Sequence, residues 1–166
     1  MNFYTEDISN GYNWKALERA IARMMEHLGW KDINVIGGAG DKGGDVLAVR
    51  AEGNQLKSWV VQSKAVTGDR YIGPQALNEA INALSFYETN VAAVATNGEF
   101  TRTARQRQVQ LEANGYTLKL WNGSFLKGLI DQMPENHAGF RELRSYQDNI
   151  VEKVIASFDE IGRAHV

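Results

Sequence analysis

The chain contains no cysteine, and that absence removes disulfide scaffolds, zinc–thiolate sites and thiol nucleophiles from consideration. Its three histidines, His27, His137 and His165, have no spacing that suits a shared metal ion. No serine–histidine–acid set stands out. No apolar run approaches membrane-spanning length, and the opening residues MNFYTEDISN lack signal-peptide character. These absences lead to the expectation of a cytoplasmic protein with no membrane partner. Charge of one sign is scarce as well. A formal net charge of −2 supplies no long-range attraction for nucleic acid, so any such surface has to be local. No repeat or low-complexity tract interrupts the 166 residues, and their 43% hydrophobic and 23% charged content is that of a folded domain with a real core.

Glycine, in contrast, is plentiful, and GGAGDKGG at 37–44 opens the most informative stretch of the chain. The loop lacks the GK[ST] ending of a nucleotide P-loop and leads into a strand rather than a helix, so the glycines read as a tightly folded approach to that strand. Alternation along Asp45–Val49 and Trp59–Lys64 predicts two strands, and Glu52-Gly53-Asn54 between them is a hairpin signal. With Gly53-Asn54 as a two-residue turn, Asp45 lies directly opposite Gln62. Opposed residues share a face, and the period of two puts Lys64 on that face too, roughly 7–8 Å from Asp45 on the diagonal. An acid, an amide oxygen and an ammonium then converge at one end of a hairpin. Such a set suits a metal ion and a phosphate.

The remaining chain alternates helices and strands. An amphipathic helix is predicted over 12–28, with Trp14, Leu17, Ile21, Met24, Met25 and Leu28 on one face and Gly29 as its stop. Glu18 sits at the edge of that stripe, about 70° from its centre. Its place is compatible with a carboxylate reaching the sheet edge or with a solvated flank residue. Ile33–Ile36 reads as a short strand. Pro74 suits the first turn of a helix running to about Tyr87, and Val91–Thr96 reads as a buried central strand. Strand, helix and strand in succession imply a parallel crossover, hence a mixed sheet. Thr101 is placed to cap a helix ending at Asn114-Gly115, whose Arg102, Arg105 and Arg107 form the densest basic cluster. That cluster reads either as a phosphate contact at a helix N-terminus or as a solvated face balanced by Glu99 and Glu112. Tyr116–Trp121 is a further strand, and Asn122–Gln132 a closing helix.

Asp45 followed by Gln62-Ser63-Lys64 resembles the catalytic core of PD-(D/E)xK nucleases, in the Mrr-like branch where glutamine replaces the usual acid. Leu17-Glu18 looks like the family's helical glutamate, Gly40–Asp45 like its GDxGxD loop, and Ala95-Thr96-Asn97-Gly98 with Phe100-Thr101 like its TNG-x-FT strand exit. The resemblance covers roughly residues 14–130. It implies a restriction-endonuclease-like α/β fold with a central mixed sheet flanked by helices, and an Mg²⁺-dependent endonuclease (Mn²⁺ as a substitute) that hydrolyses DNA phosphodiester bonds. The implied metal ligands are Asp45, the Gln62 side chain, the Ser63 backbone carbonyl and Glu18. Lys64 joins Asp45, Gln62 and Glu18 as a catalytic residue, orienting water or clamping the phosphate. Lys42, Arg102, Arg105 and Arg107 are the residues expected to meet DNA. A non-catalytic DNA-binding module and an RNA-processing nuclease are the alternatives on the same fold.

The tail carries a second resemblance. Met133–Gly139, with Pro134, reads as a boundary. Leu143-Arg144-Ser145-Tyr146-Gln147 before a helix through about Ile161 is similar to the adenine-contacting glutamine region that precedes the first RecA-like domain of superfamily 2 helicases. The implied organisation is a nuclease domain at 1–132, a linker at 133–142 and a helix at 143–166 leading towards a motor absent from this chain. Gln147 would then contact a nucleotide, ATP would serve only that motor, and the remainder of a larger helicase polypeptide would be the partner in restriction or defence. Cleavage of both strands would call for self-association or successive nicks.

Overall fold

In the computed structural model of the chain, which describes residues 3–37 and 45–133, helices and strands alternate. In chain order they are α1 (Glu6–Ser9), α2 (Trp14–His27), β1 (Lys31–Val35), β2 (Val46–Glu52), β3 (Gln55–Lys64), β4 (Tyr71–Ile72), α3 (Pro74–Phe86), β5 (Val91–Thr96), β6 (Glu99–Phe100), α4 (Arg102–Ala113), β7 (Thr117–Trp121) and α5 (Gly123–Asp131). The central sheet has the order β1-β2-β3-β5-β7. Its β1, β2 and β3 run antiparallel, while β5 and β7 lie parallel to β3. This is the mixed α/β architecture that the sequence predicts.

The β2–β3 hairpin turns at Gly53-Asn54. Glu52 pairs with Gln55 and Val46 with Val61, the register that a two-residue turn dictates. Gly53 adopts φ +61°, a left-handed conformation in which glycine avoids a side-chain clash. Both faces of the sheet are covered. Val46, Ala48, Trp59, Val61, Ala93 and Ala95 pack with Leu17, Ile21, Met24 and Met25 of α2 and with Leu126 and Ile130 of α5. Their neighbours Val60, Ala92, Val94 and Leu118 point the other way, to Leu77, Ala80 and Ile81 of α3 and Ala104 and Leu111 of α4. Every residue of β5 is buried, as its unbroken apolar run requires.

Local signals set the helix ends. Asn13 Oδ1 accepts the Ala16 N–H (3.1 Å), Thr101 Oγ1 accepts that of Ala104 (3.0 Å), and Asn122 Oδ1 accepts that of Phe125 (2.8 Å). Each satisfies one of the amides left open in a first helical turn. Pro74 occupies the first position of α3, where no amide is needed. Two features differ from the sequence reading. Glu6–Ser9 forms one helical turn, and Tyr71-Ile72, inside the expected polar connector, pairs in parallel with Glu99-Phe100. Two residues are too few for alternation to register, so this small ladder left no trace in the pattern.

Asn97 ties the exits of the central strands together. Its Oδ1 accepts the Val66 N–H (2.7 Å), and its Nδ2 donates to the carbonyls of Val66 (2.6 Å) and Ser9 (3.0 Å). The chain closes tightly around this knot. A Cβ on Gly11 would stand 1.8 Å from the Val66 carbonyl oxygen, and one on Gly123 would stand 2.1 Å from that of Asn97. Replacing Asn97 by alanine strands the Val66 amide and carbonyl together. The Asn97→Ala variant is therefore expected to lose about 3 kcal/mol of stability, read as a lower urea midpoint at unchanged m-value.

Candidate active site

The cavity at the end of β3 is lined by Gly11, Trp14, Glu18, Asp45, Gln62, Ser63, Lys64 and Ala65 and encloses about 370 Å³. Four of the residues singled out in the sequence for catalysis therefore share one cavity, together with Ser63. Three of them are buried: Glu18 is 6% exposed, Asp45 9% and Gln62 3%.

The two carboxylates converge at Gly37. A Cβ built there would lie 2.8 and 2.9 Å from the Glu18 oxygens and 3.0 Å from Asp45 Oδ1. Glycine is the residue that leaves this space to the acids. The other Asp45 oxygen is anchored: Oδ2 accepts from the Ser63 N–H (2.6 Å) and from Ser63 Oγ (3.2 Å). Asp45 itself precedes β2, with its N–H on the Val61 carbonyl (2.8 Å) and its carbonyl on the Ile36 N–H (2.8 Å).

The hairpin places these groups differently from the single face anticipated. Asp45 lies just outside the ladder, and its carboxylate turns to Ser63 and Glu18. Gln62 and Lys64 instead reach α3 on the opposite side of the sheet. Gln62 Nε2 donates to Glu79 Oε2 (2.7 Å), and Lys64 Nζ lies 2.8 Å from that same oxygen. The site thus wraps the strand end instead of lying on one face. Among the described residues, Gln62 Oε1 is a buried oxygen with no hydrogen-bond partner. Glu79 is held below the usual carboxylate range, first by its hydrogen bond from Lys64. Burial opposes that effect, and hydrogen bonds from Gln62 and Gln75 reinforce it. An ionised carboxylate only accepts, so the amide nitrogen of Gln62 is the atom that faces Glu79.

Oxygen donors from Glu18, Asp45 and Gln62 suit a hard divalent cation. No cluster of three or more histidine, cysteine, aspartate or glutamate side chains able to hold a metal occurs among the described residues. The donor set is two carboxylates and an amide whose buried oxygen has no hydrogen-bond partner among the described residues, a set whose chemistry is compatible with such a cation.

Two residues were missed or misplaced by sequence reasoning. Glu79 read as an unremarked residue of a helix, because α3 showed its apolar face and not what its flank touches. Trp14 was assigned to the apolar face of α2, yet it is 50% exposed and lines the cavity. It is the first residue of α2, and Lys15 Nζ lies over its ring.

The arginines stand apart, and none lines the cavity. Arg105 pairs with Glu99. Arg107 donates to Asn78 Oδ1 (2.9 Å) and Gln110 Oε1 (3.2 Å), and Arg102 is exposed at the start of α4. Burial acts to raise the Glu99 carboxyl, but the Phe100 amide, Arg105 and Asn122 together hold it below its ordinary range. Lys42 and Gln147, with the linker and terminal helix expected beyond Met133, lie outside the described residues.

No curated protein matches the chain by sequence. Among solved structures, the fold is similar to that of AF1548, a protein of unknown function, with a TM-score of 0.54 and 15% identity over 90% of this chain and 98% of the other. It is also similar to the DNA modification-dependent restriction endonuclease AspBHI, with a TM-score of 0.55 and 13% identity over 88% of this chain. The match spans 36% of AspBHI. At these identities the likeness is one of fold. Family assignment comes from sequence: residues 10–130, which contain every residue of the cavity, match the Mrr_cat restriction endonuclease family, and the chain belongs to it.

Proposed function

We propose that this domain is a divalent-cation-dependent endonuclease that hydrolyses DNA phosphodiester bonds. The observation that carries this reading is the meeting in one cavity of Glu18, Asp45, Lys64 and Gln62, whose Oε1 has no hydrogen-bond partner among the described residues. The family's description as a restriction endonuclease names the reaction class, and AspBHI is itself a DNA-cutting enzyme of this fold.

Asp45, the Gln62 side chain, the Ser63 backbone carbonyl and Glu18 would hold Mg²⁺, or Mn²⁺ in its place. When bound, the cation supplies positive charge against the scissile phosphate and acidifies water. Ser63 fixes one Asp45 oxygen through two hydrogen bonds, so the carboxylate is oriented before substrate arrives. Lys64 presents a point charge at the cavity wall, suited to a phosphate oxygen or to orienting water. Trp14, half exposed at the same wall, offers an apolar surface to the nucleotide beside the cut. Arg102, at the capped start of α4, would meet a phosphate farther along the duplex. We further propose that residues 143–166, with Gln147, connect the nuclease to an ATP-dependent motor in restriction or defence, on the strength of the LRSYQ likeness. Self-association would supply a second active site for double-strand cleavage.

In a supercoiled-plasmid assay with Mg²⁺ or Mn²⁺, the wild type is expected to nick DNA. Asp45→Ala and Lys64→Ala should each lower the rate about a hundred-fold or more. Equal cutting by wild type and both variants would remove the support for this site. Faster cutting of a matched RNA strand would redirect the proposal to RNA processing.

Gly37→Ala offers a sharper check. The atoms that a new methyl would meet are the flexible ends of Glu18 and Asp45, so folding should be little affected while both carboxylates shift. A displacement approaching 1 Å costs about a hundred-fold in rate. The expected outcome is a thermal midpoint near the wild-type value with most nicking lost.

A further inference from the structure

Gln62 is a neutral residue beside two acids in the cavity lining, and a carboxylate stands directly behind it. Glu79 Oε2 lies 2.7 Å from Gln62 Nε2 and 2.8 Å from Lys64 Nζ, so a single oxygen of α3 engages both ends of the Gln62-Ser63-Lys64 tripeptide. The other oxygen, Oε1, accepts from Gln75 Nε2 (3.4 Å) one turn earlier on the same helix. We infer that Glu79 is the positioning residue of this site: it supplies from behind Gln62 the negative charge that position 62 lacks, and it draws Lys64 to the α3 side of the strand end.

This role of Glu79 rests on the reading of the cavity as a cation site. First, a carboxylate paired with the Lys64 ammonium accepts but does not donate, so it selects one of the two flipped orientations of the Gln62 amide. The nitrogen is taken by Glu79, and the oxygen is the atom left without a hydrogen-bond partner among the described residues. Second, an amide whose N–H donates to a carboxylate is polarised, and its oxygen becomes a stronger electron donor. Outer partners of this kind tune metal affinity and orient the inner ligands. A buried carbonyl oxygen without a partner is otherwise an unfavourable arrangement. Third, Lys64 could neutralise Asp45 or Glu18 if it folded towards them. The one ion pair of Lys64 among the described residues is with Glu79, which keeps its charge away from the two acids that converge at Gly37.

The test exchanges the two side chains in the full 166-residue chain. Wild type, Glu79→Gln, Gln62→Glu and the double exchange Gln62→Glu/Glu79→Gln are compared by calorimetric Mn²⁺ titration. Each titration is run with and without a phosphorothioate duplex to supply phosphate oxygens. Thermal melts check that every variant is folded. Glu79→Gln is expected to weaken Mn²⁺ binding about ten-fold or more at a similar melting midpoint. The double exchange keeps the hydrogen bond and the total charge but moves the carboxylate inward. It is expected to restore affinity to the wild-type level or above. Unchanged affinity in Glu79→Gln would overturn the inference and leave the cation site standing. Weakened binding that the exchange fails to restore would show that Glu79 acts only as a packing partner, which also overturns it. If the wild type binds no Mn²⁺ under either condition, the cation-site reading falls and the role of Glu79 falls with it.

Discussion

The register of the β2–β3 hairpin is the constraint on which the candidate site depends. Gly53-Asn54 leaves two residues for the turn, and the ladder from Glu52↔Gln55 to Val46↔Val61 follows without an insertion. A slip of one residue would send Val60, Val61 and Val46 to the wrong faces of a sheet whose two sides are both buried. The same slip would carry Ser63 away from the Asp45 carboxylate. The second edge of β3 is pinned as well, since Gln62 pairs with Val94 and Lys64 with Thr96 in the parallel ladder to β5. The geometry of the candidate site and core packing are therefore specified by one set of contacts, and the fold cannot relax the first without losing the second.

From that strand end, two helices on opposite faces deliver one glutamate each. Glu18 is held by its neighbours Leu17 and Ile21, buried between α2 and the sheet, and it meets Asp45 at Gly37. On the other side, Ala76, Leu77 and Ala80 bury α3 and leave Glu79 at its flank, level with Gln62 and Lys64. Apolar contacts do the positioning, and polar atoms are carried into place on rigid elements. Asn97 secures the remaining approach by joining the chain after β3 to the end of α1. Gly11, which lines the cavity, is part of that junction.

Most of the fold was legible because its signals are periodic and local. The alternation in β3, the apolar run of β5, and the caps at Thr101 and Pro74 each report a short-range preference that the tertiary structure agrees with. Glu18, Asp45, Gln62 and Lys64 were legible as a set through the hairpin arithmetic and the family likeness. Their orientation was not. Period-two reasoning assigns faces inside a ladder, and Asp45 lies one residue outside it, where its carboxylate is free of the alternation and follows the Ser63 amide. Glu79 was illegible for a different reason. Nothing in its own segment distinguishes it from a solvated flank residue, and its role exists only in the contact between α3 and β3. Trp14 shows the converse error: helical periodicity gives direction around an axis but not how deeply a residue is covered, and Trp14 stays half exposed at the cavity.

Charge placement links these features to binding. Two buried carboxylates turned towards one point concentrate negative charge in a medium that screens poorly, which on the proposed reading would favour a cation there. A third carboxylate directly at position 62 would strengthen the pull on a cation and also on protons, and it would add repulsion towards an incoming phosphate. With the charge set back at Glu79, Gln62 presents an oxygen of lower charge, and Lys64 stays paired yet at the cavity wall. On the proposed reading, cation and DNA phosphate then complete each other's coordination, so each raises the affinity for the other by the same factor. A chain of net charge −2 gains little from general attraction to DNA, and such coupling makes the occupied site depend on the two arriving together.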